Sequence, residues 1–470
     1  MPLPTPHGFA NHPRPEAITP AGGEERNLAG VIRSGMNIQS TKPEVVQYLR
    51  DCKPGVVVWV EVGPPTLMAE ARGWGCINVA RRWFDIDQFG MVVNDPEGAA
   101  VYCYDGIKER FGSAWGEVDY FVGFNEYVGN DKFVRQTTVA LDANDQPVYE
   151  QFGDLYNRLG ENAQVGDFPS VMGYENYLND LRHNAFIAAS VAIYEYQMFR
   201  LFSEQEPKGK YAAFSFPPGN PELWQWKMIF DSLKEKFNCT FPGHAMSAHS
   251  YWRTPAGPRS RDSYDPDAPY LVGREPWFSP RPMVPIIYTE AGFDDYGYGG
   301  QKDGFTHEYR MSDRDAVYAA HMKDFCVLNA ELAEKYGMTF LGAGFFTTGF
   351  DPKWVQAGFD FTGIWQIRDF MRSWPKFHTV YYTEPTQPEE EVPMSFEFHG
   401  LFEVLAGHLG EKAGQPLCAI QYSGDGHEAR QPTTTGEMIF RDDINVAIFV
   451  PASCRVDGNS GEIVDLASPF

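Results

Sequence analysis

Over most of its length the chain places apolar residues in short unbroken runs rather than in strict alternation with polar ones. The runs are GVIRSGMNI (30–38), GVVVWVEV (55–62), CINVARRWF (76–84), YFVGFNE (120–126), YAAFSF (211–216), HAMSAHSYW (244–252), VPIIYTEAG (284–292) and MTFLGAGFFTTGF (338–350). Runs of this kind fit strands buried on both faces, as in parallel sheets. Between them lie helix-like stretches at 43–52, 66–72, 97–111, 171–205, 221–237 and 312–336. In the longest, Leu178, Leu181, Ala185, Ala188 and Ala192 fall at helical spacing. The segment AAVYCYDG (99–106) reads equally as a strand. Strand and helix in about eightfold alternation predict an α/β fold, a (β/α)8 TIM barrel with a small C-terminal β-rich domain. A doubly wound open sheet gives the same alternation, so the count of eight is what favours the barrel.

The division expected is an extended Pro/Gly-rich arm over 1–28, the barrel over 29–384 and the β-rich domain over 385–470. The last begins after the acidic hinge TEPTQPEEEVP and consists of short apolar runs separated by Gly, Asp and Pro. Residues 127–170 and 253–283 are long, polar and rich in Pro and Gly. They follow the fourth and sixth runs, at the end of a barrel where insertions shape substrate clefts.

Composition adds limits. Hydrophobic residues make up 43% and charged residues 22%, the balance of an ordinary globular chain. A net charge of −24 argues against nucleic acid or an anionic membrane as partner, since both need basic patches. The seven Cys form no CxxC pair and no metal-like spacing, and read as small core residues. The N-terminal sequence has no apolar signal core, and no stretch reaches the roughly 20 apolar residues of a membrane span; a cytoplasmic protein and one exported with its signal removed both fit. No GxSxG, P-loop, HExxH or GxGxxG sits in its required context.

Two runs end on acids. VDYFVGFNE closes on Asn125 and Glu126, and PIIYTEAG closes on Glu290. On the fourth and seventh strands of a closed barrel, those two carboxylates would converge at the mouth. A pair about 5–5.5 Å apart can cleave a glycosidic bond through a covalent intermediate, one acting as nucleophile and the other as acid and then base.

FNE and YTEAG in this order resemble the two signatures of the clan A retaining glycoside hydrolases. The resemblance covers the barrel through these motifs alone. It implies Glu126 as general acid/base, Glu290 as nucleophile and Asn125 as the contact to a sugar 2-hydroxyl, with a carbohydrate substrate and no metal or organic cofactor. It also implies that His249 or Tyr251, from SAHSYW, orients the nucleophile, and that Arg81 or Arg82, from VARRWF, contacts it. The clan carries that Arg on its second strand; here the count gives the third. In place of the clan's Trp at the end of strand eight stand Phe345 and Phe346, with Trp354 and Trp365 the nearest tryptophans. Trp252, Trp277, Tyr298 and Phe346 are candidate sugar platforms. These departures leave an alternative of another class, a carbohydrate-binding or structural surface protein whose barrel has lost turnover.

Overall fold

The computed structural model describes residues 32–374, except 85–86, 127–131, 267–270, 279–283, 295–303 and 310, together with strands between 421 and 465. The proposed arm and the acidic hinge lie outside the described residues. Contacts divide the chain into one unit, Met1–Tyr382, and another, Thr383–Phe470.

In the first unit the strands are β1 (Arg33–Ile38), β2 (Val56–Val60), β3 (Ile77–Arg81), β4 (Tyr120–Val122), β5 (Gln136–Leu141), β6 (Pro147–Gln151), β7 (Tyr211–Ala213), β8 (Ala245–Trp252), β9 (Ile286–Phe293) and β10 (Phe340–Thr348). Eight of them close into a parallel barrel in the order β1-β2-β3-β4-β7-β8-β9-β10, and β10 pairs back onto β1. The fold is therefore a (β/α)8 barrel. Its helices are α1 (Pro43–Cys52), α2 (Pro65–Gly73), α3 (Gln88–Asn94), α4 (Pro96–Phe111), α5 (Phe152–Leu159), α6 (Val171–Glu204), α7 (Leu223–Phe237), α8 (Phe305–Glu308), α9 (Arg314–Tyr336), α10 (Pro352–Gln356) and α11 (Trp365–Ser373). The ambiguous segment 99–106 lies inside α4. There Pro96 occupies the first turn and the Asp95 side chain caps the N–H of Gly98.

Two cores follow from the period-two alternation of the strands. Val56, Val58, Val60, Val79, Val122, Ala212, Ala245 and Ile287 fill the barrel interior. Val57, Trp59, Ala80, Phe121, Tyr211, Tyr288 and Phe345 belong to the larger core shared with the helices. Space inside is tight. A Cβ on Gly342 would come 2.4 Å from Val56 Cγ2, and one on Gly344 would come 2.6 Å from Val58 Cγ2.

The insertion after β4 is more ordered than its polar composition suggests. It carries the antiparallel hairpin β5–β6 and α5, and β5 packs on α6. Cys52, Cys76, Cys103 and Cys326 are buried. Among the described residues no helix is long and apolar enough to cross a membrane.

The second unit holds an antiparallel sheet of β11 (Gln421–Tyr422), β12 (Glu428–Pro432), β13 (Gly436–Arg441) and β14 (Val446–Pro451) in sequential order. Its last two strands, β15 (Cys454–Val456) and β16 (Ile463–Asp465), pair with each other.

Candidate active site

The carboxyl ends of the barrel strands bring together residues far apart in sequence. Glu126 lies just past β4, the fourth strand of the barrel, and Glu290 lies within β9, the seventh. Along β9 the register slips on both sides of Thr289–Glu290. Tyr288 pairs with Ala248 and Ala343, whereas the next pairings join Glu290 to His249 and Ala291 to Phe345. This extra residue behaves as a bulge that re-aims a side chain. The Thr289 hydroxyl meets the Ser247 hydroxyl at 2.6 Å, and the Glu290 carboxylate still turns to the barrel mouth. Below it, Asn37 on β1 donates to the carbonyls of Thr289 (2.7 Å) and Gly344 (3.1 Å), fixing the bulge from across the sheet.

Glu290 is buried and doubly bound. Its Oε1 takes a hydrogen bond from Arg81 Nη2 at 2.5 Å, and its Oε2 takes one from the Tyr251 hydroxyl at 2.8 Å. Burial alone would push this carboxyl up. The neighbouring His249 and the Arg81 guanidinium, with the hydrogen bonds from Arg81 and Tyr251, overcome that and hold it down at about 2. Burial, then the neighbouring Glu290 charge, pushes the Tyr251 phenol well above its ordinary value, so it stays a donor.

Glu126 is more open, with its side chain 28% exposed. Its φ of +49° places it in the left-handed region, a conformation that costs about 1–2 kcal/mol for a residue with a Cβ. The turn is anchored by the Glu126 N–H, which donates to the Ser215 carbonyl at 2.7 Å. His249, fully buried on β8, stands between the two acids: its Nδ1 is 3.0 Å from Glu126 Oε1 and 3.6 Å from Glu290 Oε2. Its Nε2 meets the Ser215 hydroxyl at 3.2 Å. One oxygen of each carboxyl and one nitrogen of the imidazole all lie within 4.8 Å of one another. Beside them Asn125 is buried, and its Oδ1 has no hydrogen-bond partner among the described residues.

This trio could offer three ligand atoms to a cation. Both oxygens of Glu290 are already taken, one of them by a guanidinium, which disfavours a second positive charge at the same carboxylate. Two carboxylates in such proximity, one held ionised and one open to solvent, suit nucleophilic and acid–base work.

The other expected site residues divide according to strand alternation. Arg81 lies on the third barrel strand, as counted from sequence, and still spans the mouth to Glu290. Arg82 is a correction: it turns the opposite way, its Nη1 reaching the Gly106 carbonyl and Glu109, and takes no place in the site. Trp252 is a second correction. It follows Tyr251 on β8, so it points out of the barrel, fully buried against Tyr318 and Phe325 with its Nε1 on the Tyr309 hydroxyl. Trp277 is likewise buried in packing rather than presented as a platform. Phe346 faces inward with Tyr251 and Phe359, and its ring meets Trp354 edge-on at 4.7 Å, so an aromatic group does line the end of the eighth strand. Tyr298 lies outside the described residues. Sequence reasoning missed Ser215 and Asn37. The one signal for Ser215 was a hydroxyl in the closing residues of the fifth apolar run, just before PPG.

No family model and no curated protein matches the chain. Among solved structures it is similar to an exo-β-agarase, with 14% identity and a TM-score of 0.38 over 71% of this chain. That match covers 47% of the agarase chain, so the present chain spans about half its length. It is also similar to a β-glucosidase from Exiguobacterium marinum (10% identity, TM-score 0.34, covering 74% of this chain and 98% of that one). A β-1,4-mannanase matches at 10% identity with a TM-score of 0.29, covering 73% and 98% respectively.

Proposed function

We propose that the protein is a retaining glycoside hydrolase that cleaves a glycosidic bond in an oligo- or polysaccharide by double displacement. The observation that carries this reading is the approach of one carboxyl oxygen of Glu126 to one of Glu290, within 4.8 Å, at the mouth of one closed barrel. Retaining enzymes hold their carboxyl groups about 5–5.5 Å apart, whereas inverting enzymes need roughly 6.5–9.5 Å to admit a water between them. The resemblance of FNE and YTEAG to the clan A signatures points the same way.

In the first step Glu290 attacks the anomeric carbon as the bond to the leaving oxygen breaks, and Glu126 gives its proton to that oxygen. A glycosyl ester on Glu290 results. Glu126, now a carboxylate, takes a proton from water while the water oxygen attacks the anomeric carbon and the ester bond breaks. Sugar, Glu290 carboxylate and protonated Glu126 are returned. Arg81 and Tyr251 orient the nucleophile, and Asn125 is placed to bind the 2-hydroxyl, a contact that strengthens as charge develops on the ring.

Two variants test the roles on a panel of aryl glycosides. Glu290→Gln should lower kcat on the order of 10³-fold or more while leaving the fold intact. Glu126→Ala should regain turnover in azide and release a glycosyl azide of retained configuration. Substantial activity in Glu290→Gln removes it from the nucleophile role, and azide without effect on Glu126→Ala removes Glu126 from acid–base work.

A further inference from the structure

Tyr194 and Glu195 are consecutive residues of α6, and both are fully buried. Each holds a different strand end. The Tyr194 hydroxyl accepts the N–H of Phe124 at 3.2 Å, immediately before Asn125 and Glu126. Glu195 Oε1 accepts the N–H of Phe214 at 2.9 Å, and its Oε2 accepts the Tyr211 hydroxyl at 2.6 Å. A Cβ on Gly123 would come 2.7 Å from the Tyr194 hydroxyl and 2.9 Å from that of Tyr211, so the two hydroxyls press on the backbone that leads into Glu126.

Glu195 holds the less comfortable of the two ends. Phe214 adopts a φ of +66°, a rare conformation for a bulky residue. A carboxyl oxygen accepting its N–H suits that task. The very next residue, Ser215, makes two contacts with the acid/base machinery. Its carbonyl accepts the Glu126 N–H, and its hydroxyl meets His249, whose other nitrogen lies against the Glu126 carboxyl. A buried carboxyl group costs desolvation that an apolar residue at the same place would not. Here it fixes the turn from which both the backbone and the side chain of Glu126 are placed.

We propose that Glu195 is a positioning residue for the acid/base, acting through the Phe214–Ser215 turn to set where the Glu126 carboxyl stands over the scissile oxygen. This rests on the glycosidase reading above. Loss of acid placement harms substrates in proportion to their need for a proton. The comparison is kcat/KM on dinitrophenyl and unsubstituted phenyl glycosides of one sugar, in wild type, Glu195→Gln and Ser215→Ala. Glu195→Gln replaces one of the two accepting oxygens by an NH2 donor, so the bonds from Phe214 and Tyr211 can no longer go to separate oxygens, and Ser215→Ala removes only the hydroxyl on His249. In both variants the phenyl glycoside should lose about tenfold or more relative to the dinitrophenyl glycoside. Should Glu195→Gln fail to fold, Glu195→Asp, whose shorter side chain draws the carboxyl back from the Phe214 N–H, takes its place with the same expected and overturning results. An unchanged ratio, or an equal loss on both substrates, in an active wild-type background overturns the positioning role and leaves the glycosidase reading standing. A wild type that cleaves no glycoside overturns both.

Discussion

The Glu290 carboxylate is held ionised by His249, by Arg81 at the end of β3 and by the Tyr251 hydroxyl. Arg81 is almost fully buried, and its Nε and Nη1 have no hydrogen-bond partner among the described residues, so Glu290 is the group that compensates its charge. Breaking such a pair from one side leaves the other charge uncompensated and typically costs about 3–5 kcal/mol. Arg81→Met should therefore destabilise the barrel by that order in urea unfolding. It should also raise the Glu290 carboxyl, because burial then acts with less opposition. The acid limb of kcat/KM should move to higher pH in this variant. An acid limb that stays in place would show that Glu290 is not the group titrating in the free enzyme. At this scale the sequence was legible where chemistry and position coincide. Asn125, Glu126 and Glu290 close apolar runs and could be picked out as such. Arg81 could not be separated from Arg82, nor Tyr251 from Trp252, since which member of an adjacent pair points inward depends on a register that composition does not display.

The element that shapes the site is the β9–β10 pair. The bulge at Thr289–Glu290 leaves the facing strand small, and Gly344 supplies that: its carbonyl accepts from Asn37 while Val58 fills the space a side chain would take. Gly344→Ala should cost about 1–3 kcal/mol by overpacking. Adding Val58→Ala should recover part of the loss, because the clash is with a Val58 methyl. A double variant no more stable than Gly344→Ala would place the strain elsewhere. Neither the bulge nor its partner glycine could be foreseen from the run MTFLGAGFFTTGF, where the glycines read only as small residues. The helices were easier. The stretches at 43–52 and 97–111 differ from α1 and α4 by at most a residue, because Pro at the first turn and Asp caps mark such starts. Glu195 was visible as an acid inside an apolar helical face, a signal whose meaning depends on which strand ends lie beneath it.

At the level of the whole molecule, the count of eight strands, more than their alternation with helices, pointed to a closed parallel barrel, and the fourth and seventh positions in that closure are what bring Glu126 and Glu290 together. The same convergence makes stability depend on pH. A carboxyl held below its ordinary value in the folded barrel adds stability at neutral pH that is lost as pH falls through the acid range toward its folded value. Urea unfolding at pH 7, 4.5 and 3 should show a steeper loss across the acid window in wild type than in Glu290→Gln, which has no such proton to take up. Equal slopes would mean that Glu290 is not held down. The most direct measurement of the chemistry is covalent trapping. A panel of 2-deoxy-2-fluoro glycosides carrying dinitrophenolate leaving groups should inactivate the enzyme with one sugar bound per chain, and mass spectrometry of the digested protein should place that sugar on Glu290. A sugar on any other residue, or turnover that releases the anomer of inverted configuration, would contradict the double displacement.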